Sequence, residues 1–300
     1  MTHHELKARK VRFDLQSTPL HWLPSDPFSS YMTNAIHLLL PEGELWFCRM
    51  YNKALPLVTD DRLRSDVVGF VRQEAVHSRV HSQAQQYLLA HDIQTEPFLN
   101  KIRFLFKTLV GDAPLGQSWL QWSWLERQWL VTRIGLIGAV EHFTGILGQW
   151  AMDNTSWDDG DPVMADLFKW HLAEEVEHRT VAFELHQHLC KTRIGFYFSR
   201  QLLMALVFPL FVYFVFSGTR FLAAQDKDPS VSRMGRWSFW RIGRTMQNIG
   251  RKTDHVPTFT FLLKGALRWL SPRFHPEHEG DTQQALDYIA RSPAAKQASM

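Results

Sequence analysis

This sequence of 300 residues has little cysteine, only a small excess of one charge and few strand-forming patterns. The two cysteines, Cys48 and Cys190, cannot form the disulfide framework of a small secreted protein or a cysteine-ligated zinc module. The net charge of +3 is too small to indicate a nucleic-acid-binding protein by itself. The first thirty residues contain no apolar segment of signal-peptide length, which favours a cytoplasmic location. No alternating apolar run bounded by turn residues predicts a strand, so we expect an all-α fold.

Histidine and tryptophan, in contrast, are abundant, with 15 and 12 copies. Hydrophobic residues make up 45% of the chain, which is enough to bury a full core. A chain that is rich in histidine and poor in cysteine should bind a metal through imidazole and carboxylate groups.

Four regions are predicted along the chain. Residues 1–30 form an N-terminal arm, because prolines at 19, 24 and 27 oppose a helix. Residues 31–190 form a four-helix bundle with a crossover, residues 191–225 an apolar helical segment, and residues 226–300 a basic helical region. Within the bundle, Pro41 should end one segment and open the next. The later helices are predicted at 61–90, 98–110, 117–152 and 163–190.

Glutamate and histidine recur on the inward stripes of these helices. Two helices carry the pattern Glu-x-x-His, in which positions i and i+3 share one face. Each of two other helices carries a single inward glutamate. Two such pairs with two single glutamates are typical of a di-metal site in a four-helix bundle. The predicted metal ligands are Glu44, Glu74, His77, Glu141, Glu175 and His178.

The spacing and charge of these residues fit one site. Intervals of 30 residues between Glu44 and Glu74, and of 34 between Glu141 and Glu175, suit antiparallel helix pairs. Four carboxylates contribute a charge of −4, which two divalent ions neutralise. The alternative is a bundle with solvated glutamate and histidine on exposed faces, but their stripe predicts burial. The mixed nitrogen and oxygen donors favour iron or manganese over a cysteine-type zinc site.

Several segments resemble the bacterial "predicted metal-dependent hydrolase" family, which is in turn similar to ferritin-like di-iron proteins. They are Pro41–Glu44, Phe70–His81, Glu141–Thr144, Trp170–His178 and Ser271–Pro276, and the resemblance covers about residues 15–290. The resemblance implies a ferritin-like bundle with extra C-terminal helices.

The resemblance also implies a role for each ligand. Glu74 and Glu175 would bridge the metals, Glu44 and Glu141 would be terminal ligands, and His77 and His178 would each cap one metal. His81 and His171 also face inward, and each is a candidate for a further ligand, for a partner of a ligand or for a proton carrier. The predicted catalytic residues are Glu74, Glu175, His81 and His171.

The C-terminal third combines an apolar run with basic residues. Leu202–Phe216 is fifteen residues without a charge, which as a helix spans about 22 Å and is short of the roughly 30 Å of a bilayer core. We favour a buried or interfacial helical hairpin over a spanning helix. Residues 218–274 hold 11 basic and 3 acidic side chains, a net charge of +8, which suits an anionic membrane surface. A solvated basic face is the alternative.

Three functions compete at this point. The leading hypothesis is a di-iron oxidoreductase that activates O₂ on a hydrophobic or amphiphilic small substrate, with two iron ions and an electron-donor protein. The alternative is a di-metal-dependent hydrolase, which two manganese or zinc ions without reactivity towards oxygen would favour. The third is a non-enzymatic iron-binding bundle. We expect no nucleic-acid partner; the other expected partners are a second copy of the chain and the inner membrane surface.

Overall fold

The computed structural model describes residues 4–118 and 122–298, and within these ranges the chain forms helices and no strand. The prediction of an all-α fold is confirmed. Residues 1–3, 119–121 and 299–300, which belong to the predicted arm, bundle and basic region, lie outside the described residues. The helices are α1 Pro27–Asn34, α2 Ile36–Ala54, α3 Asp61–Ala90, α4 Glu96–Arg103, α5 Ser123–Met152, α6 Pro162–His178, α7 Val181–Leu189, α8 Arg193–Ala223, α9 Pro229–Ser232, α10 Phe239–Lys252, α11 Phe259–Trp269, α12 Thr282–Arg291 and α13 Pro293–Ala298.

Four helices, α2, α3, α5 and α6, carry the predicted ligands and pack together. α2 lies against α3, α5 lies against α6, and the two pairs meet through contacts of α2 with α5 and of α3 with α6. α7 continues the contacts of α6 against α3 and α5. The buried stripes of the four helices therefore face one another, which places their glutamates and histidines in a common interior.

The second ligand helix matches its prediction closely. α3 begins at Asp61, after Asp60 accepts a hydrogen bond from the backbone N–H of Leu63 at 2.8 Å, and it ends at Ala90. The carboxylate satisfies one of the free N–H groups of the first turn, which explains the start. The predicted helix at 98–110 is α4 followed by a π-helical segment, Phe104–Leu109.

The predicted helix boundary at Pro41 is wrong, because α2 begins five residues earlier and runs through the proline. Proline lacks the N–H that would bond to the carbonyl of residue i−4, here His37. The side chain of Gln85 on α3 donates to that carbonyl at 2.8 Å instead. Ser78 also donates to the carbonyl of Pro41 at 2.9 Å, so α3 holds both sides of the proline.

The predicted single helix at 163–190 is two helices, because the chain turns at Arg179 and Thr180. The guanidinium of Arg179 donates to the carbonyl of Val176 in the last turn of α6. It also donates to the carbonyls of Pro276 and Gly280 at 3.0 and 2.7 Å. Arg179 thus satisfies carbonyl groups at the end of α6 and ties the C-terminal segment to the bundle.

The apolar segment forms one helix, α8, rather than a hairpin, and it continues through Pro209. One side of α8 packs against α5 and α1, and the other is exposed. Among the described residues, α8 and α5 are long and apolar enough to cross a membrane by length and composition alone. α5 is largely buried in the protein, as a core helix is, whereas most of α8 is not.

Residues 4–26 run across the bundle without a helix. Leu6, Val11 and Leu15 are buried along this segment, which we call the N-terminal segment. Leu6 packs so closely on Gly69 of α3 that a Cβ atom at that glycine would lie 2.6 Å from the Cβ of Leu6. The glycine therefore allows the segment to reach the surface of α3 and α6.

Candidate metal centre

All eight side chains predicted to act in metal binding or catalysis lie in the interior of the bundle. None is more than 3% exposed. They come from α2, α3, α5 and α6, so each helix of the bundle contributes at least one. The eight are Glu44, Glu74, His77, His81, Glu141, His171, Glu175 and His178.

Seven of these residues form two groups that could each hold a metal ion. The first group is Glu44, His77 and His171, and the second is Glu74, Glu141, Glu175 and His178. Within each group, one donor atom of every residue lies within 4.8 Å of the donor atoms of the others. His171 joins the first group directly, whereas His81 is in neither.

Two glutamates connect the groups. Glu175 directs Oε1 towards the first group, at 2.8 Å from Nε2 of His171 and 3.4 Å from Nδ1 of His77. Its other oxygen, Oε2, lies 3.3 Å from Nε2 of His178 in the second group. Oε1 of Glu74 lies 3.6 Å from Nδ1 of His77 and 3.3 Å from Nε2 of His178. Both carboxylates therefore lie between the two groups.

Several donor atoms at the centre have no hydrogen bond from any residue that the structure describes. They are both carboxylate oxygens of Glu44, both of Glu74, Oε2 of Glu141, and Nδ1 of His77. A buried polar atom without a partner is costly, and native proteins rarely leave one unless an ion or a water binds there. Oxygen and imidazole donors that converge in a closed interior fit divalent cations of the iron, manganese or zinc type.

Electrostatics support the same conclusion. Burial raises the pKa of Glu44 well above its usual range, and the nearby carboxylate of Glu74 adds to the effect. Burial, followed by the charge of Glu175, raises the pKa of Glu141 to about 8. Four carboxylates cannot all ionise in one dry interior without positive charge beside them. Two divalent cations would supply that charge.

The histidines offset part of the negative charge of the carboxylates. Burial opposes the charged form of His77, but its contacts with Glu174, Glu175 and Glu74 raise its pKa well above the ordinary value. Burial alone would raise the pKa of Glu175. The charge of His178 and the hydrogen bonds that Glu175 accepts from histidines nevertheless lower that pKa well below the ordinary value. Because the same carboxylates favour protonation of the histidines and binding of cations, metal binding should release protons.

Each candidate histidine ligand is held by a hydrogen bond on its other ring nitrogen. Nε2 of His77 lies 2.9 Å from Oε2 of Glu174, and Nδ1 of His178 lies 3.0 Å from the side-chain oxygen of Gln73. Nδ1 of His171 lies 2.5 Å from Nε2 of His81. Such partners fix the orientation of metal-binding imidazoles. Glu174, the residue before Glu175 on α6, hydrogen-bonds to His77 and belongs to neither group of donors.

His81 belongs to a row of three histidines that leads away from the centre. Its Nε2 contacts His171, and its Nδ1 lies 2.7 Å from Nδ1 of His37. Burial lowers the pKa of His37 to about 3 and that of His81 well below its ordinary value, so both rings are neutral. Sequence analysis missed His37, although it lies seven residues before Glu44 and therefore on the same helical face.

The N-terminal segment completes the surroundings of the histidines, which sequence analysis did not predict. Arg9 donates to Oε1 of Glu174 at 2.8 Å and to Oε2 of Glu177 at 2.8 Å. His4 lies 2.6 Å from Oε1 of Glu177, and Gln73 donates to Oε2 at 2.8 Å. Arg9 therefore links Glu174, which contacts His77, to Glu177, which contacts Gln73.

A family model described as "Predicted metal-dependent hydrolase" matches residues 7–280. The match spans most of the 300 residues. The chain belongs to this family. Comparisons with curated proteins and with solved structures found no match.

Membership of the predicted metal-dependent hydrolase family bears on the competing functions. Its description agrees with the hydrolase alternative and with dependence on a metal, and it does not mention iron or oxidation. The resemblance to ferritin-like di-iron proteins stays a prediction, since no solved structure matches. The seven donors in two buried groups are consistent with the metal dependence in the family description.

A cavity of about 260 Å³ adjoins the first group. Its walls are almost entirely apolar, with side chains from several helices that include α2, α5, α8 and α11. The side chains of Glu44, His81 and His171 form part of its lining. Apolar walls with a few polar groups at one place are typical of a pocket for a small, largely apolar ligand.

Proposed function

We propose that this protein is a two-metal enzyme that hydrolyses a lipophilic small substrate. The observation that carries the proposal is the meeting of two buried donor groups with an apolar cavity at Glu44 and His171. The family description supports hydrolysis. Of the predicted catalytic set, Glu74, Glu175 and His171 enter the proposal as ligands, and His81 enters it as the residue that positions His171.

Two divalent ions, when bound there, would supply Lewis acidity and a water-derived nucleophile near neutral pH. Glu44, His77 and His171 would hold one ion. Glu141 and His178 would hold the other, and Glu74 and Glu175 would lie between the two. Seven preset donors on four packed helices keep this geometry fixed, because the scaffold rather than the substrate orders them.

The remaining residues bind the substrate and position the ligands. The cavity places the apolar part of the substrate along its walls and excludes bulk water from the centre, which strengthens electrostatic interactions there. Glu174 accepts the proton on Nε2 of His77 and so keeps Nδ1 directed at the centre. His81, neutral because of burial, shares a proton with Nδ1 of His171 and keeps Nε2 of that residue directed at Glu44 and Glu175.

A second candidate function is O₂-dependent oxidation of the same class of substrate. The observation that favours it is the donor arrangement, because glutamates from four helices with Glu-x-x-His pairs are the ligand set of di-iron carboxylate bundles. This candidate requires two iron ions and an external source of electrons, such as an electron-donor protein. A bundle that only stores or binds iron would use the same donors without substrate turnover.

One experiment separates the three functions. Metal-free protein is loaded with zinc, manganese or, without air, ferrous iron, and each form is assayed for hydrolysis of fatty acyl esters of increasing chain length and for O₂ uptake with a reductant. Glu44→Ala should abolish turnover, whereas Glu42→Ala, two residues away and paired with Arg103 near the surface, should not.

The outcomes are distinct. Metal-dependent ester hydrolysis that Glu44→Ala removes supports the proposal. Substrate-dependent O₂ uptake without hydrolysis replaces it with the oxidase. Bound iron without either reaction indicates the non-enzymatic bundle.

A further inference from the structure

We propose that the exposed face of α8 docks on the surface of an anionic lipid bilayer. Large apolar side chains repeat along this face at intervals of three or four residues, and we call them the α8 stripe. Their exposed fractions run from 38% at Leu210 to 74% at Leu202. The stripe is Ile194, Phe198, Leu202, Leu206, Leu210 and Tyr213.

The length of the stripe distinguishes it from isolated exposed leucines. Nineteen residues separate its ends, which corresponds to about 28 Å along a helix. Single exposed apolar residues are normal on a soluble protein, but a continuous apolar patch indicates a surface that binds another protein or a membrane.

Neighbouring helices extend the patch at both ends. At one end, Tyr197 donates to the carbonyl of Leu270 at 3.0 Å, and Leu270 is exposed together with Leu263 and Leu267 of α11. At the other end, the ring of Tyr213 lies 5.7 Å from that of Phe239. The next residue, Trp240, is 79% exposed. Tryptophan and tyrosine are enriched where a protein meets the interface between lipid and water.

The positive charge around the stripe favours an anionic partner. Residues 191–225 contain no acidic side chain, and residues 191–274 contain 14 basic and 3 acidic ones. Lys191 and Arg193 are exposed at the start of α8, and Arg241 and Arg244 are exposed on α10. A second copy of the chain would bring this positive surface against itself, whereas an anionic bilayer complements it.

The helix would lie along the bilayer surface rather than cross it. Its inner side is committed to the protein through Leu203, Met204 and Val207, which are buried. Arg200, also buried, donates to the carbonyl of Ser271 at 2.6 Å and to that of Trp269. A spanning orientation would separate these contacts and would place Arg200 in hydrocarbon. An amphipathic helix that buries only its apolar face keeps them.

The stripe also adjoins the cavity. Leu210 belongs to both, and Phe211 and Phe214 of the same helix line the cavity. A lipophilic substrate dissolved in the bilayer would therefore reach the cavity along α8. This route rests on the proposed function, whereas the docking itself does not.

Co-sedimentation of the full chain with vesicles tests the docking. Vesicles of phosphatidylcholine with phosphatidylglycerol are compared with vesicles of pure phosphatidylcholine, at low and high salt. The stripe variant carries both Phe198→Ser and Leu202→Ser. Its control carries Leu57→Ser and Leu89→Ser, at two leucines that are exposed on other elements. The charge variant carries both Arg241→Gln and Arg244→Gln. Its control carries Arg49→Gln and Arg72→Gln, at two arginines that are exposed on α2 and α3.

We expect binding that requires phosphatidylglycerol and weakens with salt. The stripe variant should lower the partition coefficient at least about tenfold, because it removes two large exposed apolar side chains from the contact. Both controls should bind like the wild type. Equal binding of the stripe variant and its control overturns the proposal. Absence of vesicle binding by the wild-type protein also overturns it. In that case, a wild-type dimer that becomes a monomer in sedimentation velocity when the stripe is altered would identify a second copy of the chain as the partner. Docking without any ester hydrolysis would leave this inference intact and would count only against the proposed function.

Discussion

Replacing Arg9 by alanine tests whether the N-terminal segment supports the metal centre from outside. The guanidinium of Arg9 contacts two carboxylates, Glu174 and Glu177, whose side chains are fully buried. Burial opposes ionisation of Glu177, but the hydrogen bonds and charge of Arg9 lower its pKa below the ordinary value. Without Arg9, two buried carboxylates would lose their shared positive partner.

The magnitude follows from that loss. Removing one member of a buried ion pair typically costs about 3–5 kcal/mol. Glu177 keeps its contacts with His4 and Gln73, and Glu174 keeps His77, so we expect the lower end, about 3 kcal/mol in the free energy of unfolding. Since Glu174 orients His77, metal affinity should also fall by about 10–100-fold.

Two measurements on the same preparations check this prediction. Urea unfolding followed by circular dichroism gives the stability, and competition with a chelator gives the metal affinity. Arg12→Ala is the matched control, because Arg12 lies on the same segment and is exposed. Arg9→Lys keeps the charge but not the forked geometry, and it should fall between the two. If Arg9→Ala matches Arg12→Ala in both measurements, the segment does not support the centre.

Three further predictions concern the site, the cavity and pH. Glu74→Ala and His178→Ala should each lose most of the bound metal, measured by elemental analysis, while circular dichroism stays helical; full retention in both would refute the site. Leu147→Trp, which fills the cavity, should abolish turnover of long-chain substrates but leave metal content unchanged. If long-chain turnover persists, the substrate binds elsewhere. Burial, helped by the charge of Arg200, lowers the pKa of His186 from its ordinary value to about 4. The unfolded chain therefore takes up this proton first as the pH falls, and the contribution of His186 to the free energy of unfolding should decrease by about 2 kcal/mol between pH 7 and pH 5. His186→Gln should show a flatter pH dependence of urea unfolding; an unchanged slope would contradict the assignment.

The ligand pattern could be predicted from sequence because it is local to each helix. Glu74 and His77 share a face through the helical period alone, and the same holds for Glu175 and His178. The inward stripe also placed His171 on the correct face. Local periodicity did not decide whether that residue contacts a metal, because this depends on how α6 lies against α2.

Contacts that join distant segments could not be predicted in this way. Arg9 lies in a segment without helical periodicity, 165 residues from Glu174. His37 was missed for a different reason, which is the assumption that Pro41 begins a helix. Gln85 from α3 bonds to the carbonyl that the proline leaves free, and no local pattern indicates such a partner.

The position of the N-terminal segment has a consequence for the order of assembly. Its contacts with Glu174 and Glu177 span 165–173 residues of chain. During synthesis these partners emerge long after the segment itself, and closing so long a loop costs entropy that local helices avoid. The four helices can pair before this closure. The centre would then be open on the side of His77 and Gln73 while the helices assemble, and docking of the segment would be the late step that shuts it.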